Sequence, residues 1–259
     1  MTDKKTPLFH LGFCPGDISA RYAIIPGDPG RVREIAEKMD SPRPLAAHRE
    51  FTSYTAMLNG HQVIVCSTGI GGPSAAIAVE ELHMAGVDTF IRVGTCGGIN
   101  LAVERGSLVI ASCATRCDGT SAQYAPLSFP AAADFAVTSA LVKSAGGLGH
   151  KCFTGPVHCK DSFYAQHSPQ RMPIAPQLLN DWEAFIKLGV LASEMECAAL
   201  YTVSAALGCR AGCVLNVFWN QERIRAGLDQ TAVFDTDIPD NSRAIDTAIG
   251  ALWLLIAGE

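Results

Sequence analysis

The chain is predicted to be an α/β protein, a single domain over residues 1–259 with a central mixed sheet flanked by helices. Three observations predict it. Short apolar runs of strand character alternate with helical patterns along most of the sequence, which favours a mixed or largely parallel sheet covered on both faces. The composition, 48% hydrophobic and 17% charged over 259 residues, supplies enough apolar surface for one large core. Glycine-rich turns follow three of the strand-like runs, as they do where such sheets bind ligands.

The first strand is expected at 22–26 (YAIIP), an aliphatic run closed by Pro and Gly, with a helix over 30–39 behind it. A second strand is read at 62–67 (QVIVCS) and its helix at 73–85. Strands at 89–93 and 107–112 follow, then helices at 133–145, 178–188 and 195–207. The apolar run 211–218 is the last strand, and 242–257 closes the chain as a helix. No repeat, low-complexity tract or linker interrupts this series. The stretch 158–177, rich in Pro, Gln, His and Ser, reads as a long functional loop.

A formal charge of −5 argues against a nucleic-acid partner, which calls for a basic stripe to displace counterions. A local arginine cluster can still hold a small anion. No apolar run reaches the roughly 20 residues of a membrane helix. The opening MTDKKTPLFH lacks the apolar segment of a signal peptide, so a cytoplasmic location is expected. The ten cysteines then read as reduced, Cys66, Cys113 and Cys213 as small apolar residues of strands. The spacings Cys113/Cys117 and Cys209/Cys213 complete no zinc set.

The three glycine-rich junctions carry the chemistry. They are Pro26-Gly27-Asp28-Pro29-Gly30-Arg31, Ser67-Thr68-Gly69-Ile70-Gly71-Gly72-Pro73-Ser74 and Arg92-Val93-Gly94-Thr95-Cys96-Gly97-Gly98. Glycines let backbone N–H groups approach an anion, and an arginine fork matches phosphate oxygens two at a time. Any one junction alone reads equally well as an ordinary turn with a solvated arginine. Three of them ending at one sheet edge make Arg31, Arg92 and Thr95 a phosphate cradle. The spacing fits neither GxGxxG nor GxxxxGK[ST], so free phosphate or a sugar phosphate is expected rather than a dinucleotide or P-loop nucleotide.

Glu194 and Glu196 stand in an otherwise apolar strand-to-helix passage with Met195 between them. Buried carboxylates need partners. One reading gives them the vicinal hydroxyls of a ribose, with Met195 against the sugar face; another gives them a helix N-terminus and its dipole. Two acids one residue apart do not flank a glycosidic bond from opposite faces, which excludes the paired-carboxylate glycosidase arrangement.

The runs Phe9-His10-Leu11-Gly12, Ile25-Pro26-Gly27-Asp28-Pro29, His48-Arg49-Glu50-Phe51-Thr52, 65–74, Arg92-Val93-Gly94-Thr95, Ala125-Pro126-Leu127, Asp161-Ser162-Phe163-Tyr164 and Glu194-Met195-Glu196 together resemble the uridine phosphorylases, over residues 8 to about 220. The resemblance implies the single-domain nucleoside phosphorylase fold and phosphorolysis of uridine, with deoxyuridine or thymidine as further candidate substrates. It implies inorganic phosphate as co-substrate, no required cofactor, and a homohexamer built as a trimer of dimers. Gly27, Arg31, Arg92 and Thr95 would bind phosphate, completed by Arg49 of a neighbouring subunit. His10 would likewise reach the neighbour's ribose, and Glu194, Met195 and Glu196 would hold the sugar. Phe163 would stack near the sugar or base. Glu50, Ile70 and Ser74 match positions that hold potassium between subunits in some relatives.

The base readers depart from the family pattern. A glutamine and an arginine are expected shortly after the Phe-Tyr pair, and Gln166 and Arg171 fill those roles here, with Gln170 as the alternative. Gln221 stands where many relatives carry arginine, and Arg223 is the candidate substitute. Purine phosphorylases, nucleosidases and non-catalytic nucleoside-binding proteins are the competing readings. The first calls for an acid that Val217-Phe218-Trp219-Asn220 lacks; the other two leave the full arginine set without a purpose.

Overall fold

The computed structural model describes residues 4–230 and 240–258. Its centre is a mixed sheet built on β1 (Tyr22–Pro26), β4 (His61–Cys66), β5 (Thr89–Gly98), β6 (Leu108–Cys117) and β10 (Arg210–Asn220). These match the five strands expected from the apolar runs, with β4 ending one residue early at Cys66 and β6 starting one late at Leu108, and β5, β6 and β10 all extend further than those runs suggest. The hairpin β2 (Asp40–His48)–β3 (Phe51–Leu58), the two-residue β7 (Ala131–Ala132), β8 (Cys152–Lys160) and the three-residue β9 (Ala192–Glu194) complete it.

Alternation along each strand explains why these runs are apolar throughout. In β1, Tyr22 and Ile24 enter one core while Ala23 and Ile25 enter the other. Val63 and Val65 oppose Ile64 and Cys66 in the same way, as Leu108 and Ile110 oppose Val109 and Ala111. A strand buried on both faces has no polar face to show. Helices α1 (Gly30–Ala36), α4 (Phe135–Gly147) and α9 (Ser242–Ala257) cover one side. Helices α2 (Gly72–Met84) and α7 (Cys197–Ala206) cover the other. No helix among the described residues is long and apolar enough to cross a membrane.

The topology places the site. β10 runs parallel to β5 along its whole length, Arg210↔Thr89 through Asn220↔Gly98. The opposite edge of β5 is shared by two strands. β1 pairs with Thr89 to Val93, whereas β9 pairs antiparallel with Gly97 and Gly98. Beyond β9 the order β8–β6–β10 leads back to β5, so five strands close into a small barrel while β1–β4–β3–β2 extends outward as an open sheet. Gly94, Thr95 and Cys96 are left without a strand partner on that edge, at the split between open sheet and barrel. Ligands bind where a sheet's order diverges in this way.

The stretch 158–177 is not a long loop. β8 reaches Lys160, α5 (Phe163–His167) and a 3-10 turn (Pro169–Arg171) follow, and α6 (Ala175–Lys187) starts two residues before the expected end of the loop. Gly155 and Pro156 disguise β8, and Ser162 caps α5 by accepting the Ala165 N–H at 3.2 Å. α3 (Ser121–Tyr124) and α8 (Gln221–Arg225) are single turns too short to show a period.

Candidate active site

A cavity of about 900 Å³ opens at the bare edge of β5. Its floor is Gly94, Thr95, Cys96 and Gly97; the β1–α1 turn supplies Gly27 and Arg31, and the β4–α2 turn supplies Gly69, Ile70 and Ser74. The two turns are laced together. Thr68 N–H donates to the Pro26 carbonyl at 2.8 Å and Gly69 N–H to the Gly27 carbonyl at 3.0 Å. A Cβ on Gly27 would lie 3.1 Å from the Gly69 carbonyl, and Gly69, at φ 67°, would carry one 2.9 Å from Glu50 Cγ.

Arg92 is buried, and its Nη2 donates to Glu196 Oε2, with Glu194 Oε2 3.8 Å from Nε. Burial works against its charge, but Glu196, followed by Cys213 and Glu194, more than offsets this and keeps the guanidinium ionised. Its Nε and Nη1 are buried and have no hydrogen-bond partner among the described residues. Arg31 lines the same cavity, and its side chain likewise has no hydrogen-bond partner among the described residues. Burial lowers its pKa, Asp28 opposes this, and the nearby charge of Arg92 adds to it. Two cations that repel each other, one with buried orphan donors, form a site suited to an anion.

The two acids divide the roles left open by the sequence. Glu194, at the end of β9, accepts N–H bonds from Glu196 at 2.8 Å and Cys197 at 2.9 Å, satisfying orphan donors at the start of α7. Glu196 instead accepts the Gly71 N–H at 2.6 Å and the Arg92 bond, and so faces the cavity. Met195 lies between them on the wall.

The other end of the cavity is aromatic. Phe163, His167, Phe218 and Trp219 line it, with Phe163 and His167 ring centroids 4.4 Å apart and His167 and Trp219 5.3 Å apart. Burial, helped by Lys160 and opposed by a hydrogen bond with Gln221, pushes the His167 pKa down to about 4, so its ring is neutral at neutral pH. Gln166 Oε1 accepts from Ser193 Oγ at 2.6 Å, and its Nε2 donates to Gln221 Oε1 at 3.4 Å. A second cavity of about 280 Å³ lies behind this wall and shares Lys160 and Gln166 with the first.

Twelve of the residues singled out from sequence thus line one cavity: Gly27, Arg31, Glu50, Ile70, Ser74, Arg92, Thr95, Phe163, Gln166, Glu194, Met195 and Glu196. His10 does not line it; its Nδ1 lies 2.7 Å from Glu81 Oε1. Arg49 is exposed outside it, at φ 54° in the β2–β3 turn. Gln170 and Arg171 are exposed on the 3-10 turn and do not reach the cavity. Arg223 is tied to Asp229 by two bonds of 2.9 and 3.1 Å and to the Leu101 carbonyl, away from the cavity. Lys160, His167, Ser193 and Trp219 were missed by sequence reasoning. A lysine or tryptophan ending an apolar strand at its carboxyl end was the available signal.

Residues 21–248 match the family model described as Phosphorylase superfamily. The uridine phosphorylase of Treponema pallidum is 46% identical over 251 residues, 97% of this chain and 95% of the relative. That of Escherichia coli is 44% identical over 224 residues, 84% of this chain and 87% of its own. The guanosine phosphorylase of Halorubrum lacusprofundi is 37% identical over 251 residues, 95% and 98% of the two chains. With a sheet that splits at an anion site and relatives matched almost end to end, the chain belongs to the phosphorylase superfamily.

Proposed function

We propose that this chain is a uridine phosphorylase, a pentosyltransferase that cleaves uridine with inorganic phosphate to uracil and ribose 1-phosphate. The carrying observation is Arg92, which lines the cavity with Arg31 and whose buried Nε and Nη1 have no hydrogen-bond partner among the described residues. The uridine phosphorylases among its relatives agree in the substrate they name. Phosphate held by Arg31, Arg92 and Thr95 attacks the anomeric carbon as uracil leaves. Glu196 and Met195 hold the ribose, and Phe163 and Gln166 hold the base. Positioning and charge stabilisation in a partly desolvated site supply the rate enhancement, with no covalent enzyme intermediate. The base end offers Phe218 and Trp219 rather than an acid to protonate a purine, which favours a pyrimidine.

The site is completed by a second copy in this reading, as a hexamer of three dimers in the cytoplasm. Arg49 holds a left-handed backbone conformation unusual for a long side chain, a strain that functional positions retain. Phe9 and Ile70, 75% and 78% exposed, give the same region an apolar surface for a partner. Glu50 and Ser74 lie together, Ser74 Oγ donating to Glu50 Oε1 at 2.9 Å. Ile70 lines the cavity beside them, and in this reading potassium, a hard cation suited to oxygen donors, would be held there as a structural ion between subunits.

Uracil release from uridine, followed with and without inorganic phosphate, tests the reading. Phosphate-dependent release with ribose 1-phosphate as co-product is expected. Release without phosphate would make the protein a hydrolase, and preferential cleavage of inosine or guanosine would make it a purine enzyme.

A further inference from the structure

Glu81 lies on α2, outside the cavity and 7% exposed, and its carboxylate is given over to one short stretch of chain. Oε2 accepts the Leu11 N–H at 2.9 Å, both oxygens share the His10 N–H at 3.1 Å, and Oε1 lies 2.7 Å from His10 Nδ1. On the far side of the residue, the His10 carbonyl accepts from His48 Nδ1 at 2.8 Å. The ring stands edge-on to Phe9 and Phe51, with centroids 4.8 and 6.3 Å away. Every polar group of His10 is thus tied down except Nε2, which has no hydrogen-bond partner among the described residues, on a side chain 28% exposed. A carboxylate accepts and does not donate, so the ring proton sits on Nδ1. In the neutral imidazole Nε2 then presents a lone pair; the opposite tautomer would present an N–H.

We propose that Glu81 is a positioning residue for substrate selection: by holding the proton of His10 on Nδ1, it makes Nε2 an acceptor for a hydrogen-bond donor at the 5′ position of a nucleoside in a neighbouring copy. The inference rests on the phosphorolysis reading and on the shared site. Selection then follows what the 5′ substituent can do. A hydroxyl donates or accepts, an ammonium only donates, and a methyl does neither. Glu81→Gln keeps the shape and removes the rule. Its amide oxygen stays with the two backbone N–H groups, its NH2 faces Nδ1, and Nδ1 must then accept. Nε2 becomes a donor, which a hydroxyl can still meet and an ammonium cannot.

The test is phosphorolysis of uridine, 5′-amino-5′-deoxyuridine and 5′-deoxyuridine near neutral pH by the full-length protein, Glu81→Gln, His10→Ala and the double variant, compared as kcat/KM. Glu81→Gln is expected to lose roughly 10- to 100-fold on the amino nucleoside, at most about tenfold on uridine, and less than about threefold on the deoxy nucleoside. In the His10→Ala background the same substitution should leave the ratios among the three substrates unchanged, since Glu81 then has no ring to orient. Those ratios are internal to each sample, so partial misfolding does not alter them. If Glu81→Gln does not fold, the nitrogen NMR spectrum of the histidine-labelled parent decides, with the His10 signals assigned by their loss in His10→Ala. A protonated Nδ1 and a bare Nε2 are expected, and the reverse tautomer would overturn the proposal. Equal losses on the three nucleosides, a ratio shift that persists without His10, or parental ratios in His10→Ala would overturn it too. A parent that releases no uracil from uridine with phosphate would instead overturn the functional reading.

Discussion

Arg92 is bound on one side only. Glu196 neutralises it from the α7 side, and its Nε and Nη1 are buried without a hydrogen-bond partner among the described residues, on a side chain that lines the cavity. Arg92→Ala should therefore act twice. Phosphorolysis should drop by about 10²–10³ in kcat/KM, measured under saturating uridine with varied phosphate. The variant should also lose about 3–5 kcal/mol of stability in urea unfolding, because Glu196 is left as an uncompensated buried charge. Glu196→Gln keeps the Gly71 bond and should cost less stability than Arg92→Ala while weakening nucleoside binding, read as a raised uridine KM. The arginines were legible in the sequence because glycines and strand ends announce backbone that approaches a ligand. Lys160 and Trp219 were not: Lys160 fell in a stretch read as loop because Gly155 and Pro156 break the pattern of β8, and Trp219 looks like an ordinary residue at the end of an apolar strand. The division of labour between Glu194 and Glu196 could not be read from spacing either. It depends on which carboxylate the first turn of α7 captures.

At the scale of elements, β5 does most to define the site. Gly94 lies where a Cβ would come within 2.8 Å of Leu215 Cδ2 and 3.1 Å of Arg92 Nη2. Gly94→Val should displace either β10 or Arg92. The expected result is a folded protein, by circular dichroism, whose apparent phosphate KM rises at least tenfold, since the anion donors move while the ribose wall stays. Strands buried on both faces were found from sequence because they are continuous apolar runs. β2 was not: all of its residues are exposed or half-buried, and it carries two prolines. β9 has only three residues and exists because β5 and β8 flank it. No local pattern encodes such a strand.

A buried histidine, His158, and a half-buried one, His167, link the whole molecule's stability to pH. Burial, reinforced by Lys160, pushes His158 down to about 3, and His167 lies at about 4. Both values are below the unfolded one, near 6.5. Above that pH neither state binds the proton. Below it the unfolded chain takes up protons that the folded chain refuses, so stability falls as pH drops from 6.5 toward 4. The urea midpoint at fixed protein concentration should decrease across that window, and His158→Gln should flatten the decrease. At the level of assembly, the proposed sharing of the site between copies predicts that Arg49→Ala depresses turnover several-fold without changing the melting temperature, and that dilution, by favouring separate copies, lowers specific activity. Insensitivity to both would place a complete site within one copy.

The unpaired edge of β5 also acts as a ruler. Three residues separate the end of the β1 ladder at Val93 from the start of the β9 ladder at Gly97. At about 3.3 Å per residue the aperture is roughly 10 Å wide. Such a width changes only in whole-residue steps, as one ladder gains or loses a rung. Substitutions on the walls can therefore exchange one base for another of similar size without altering the frame. A markedly larger sugar would need a shorter β9 or β1, a change in sheet register that point mutation does not reach.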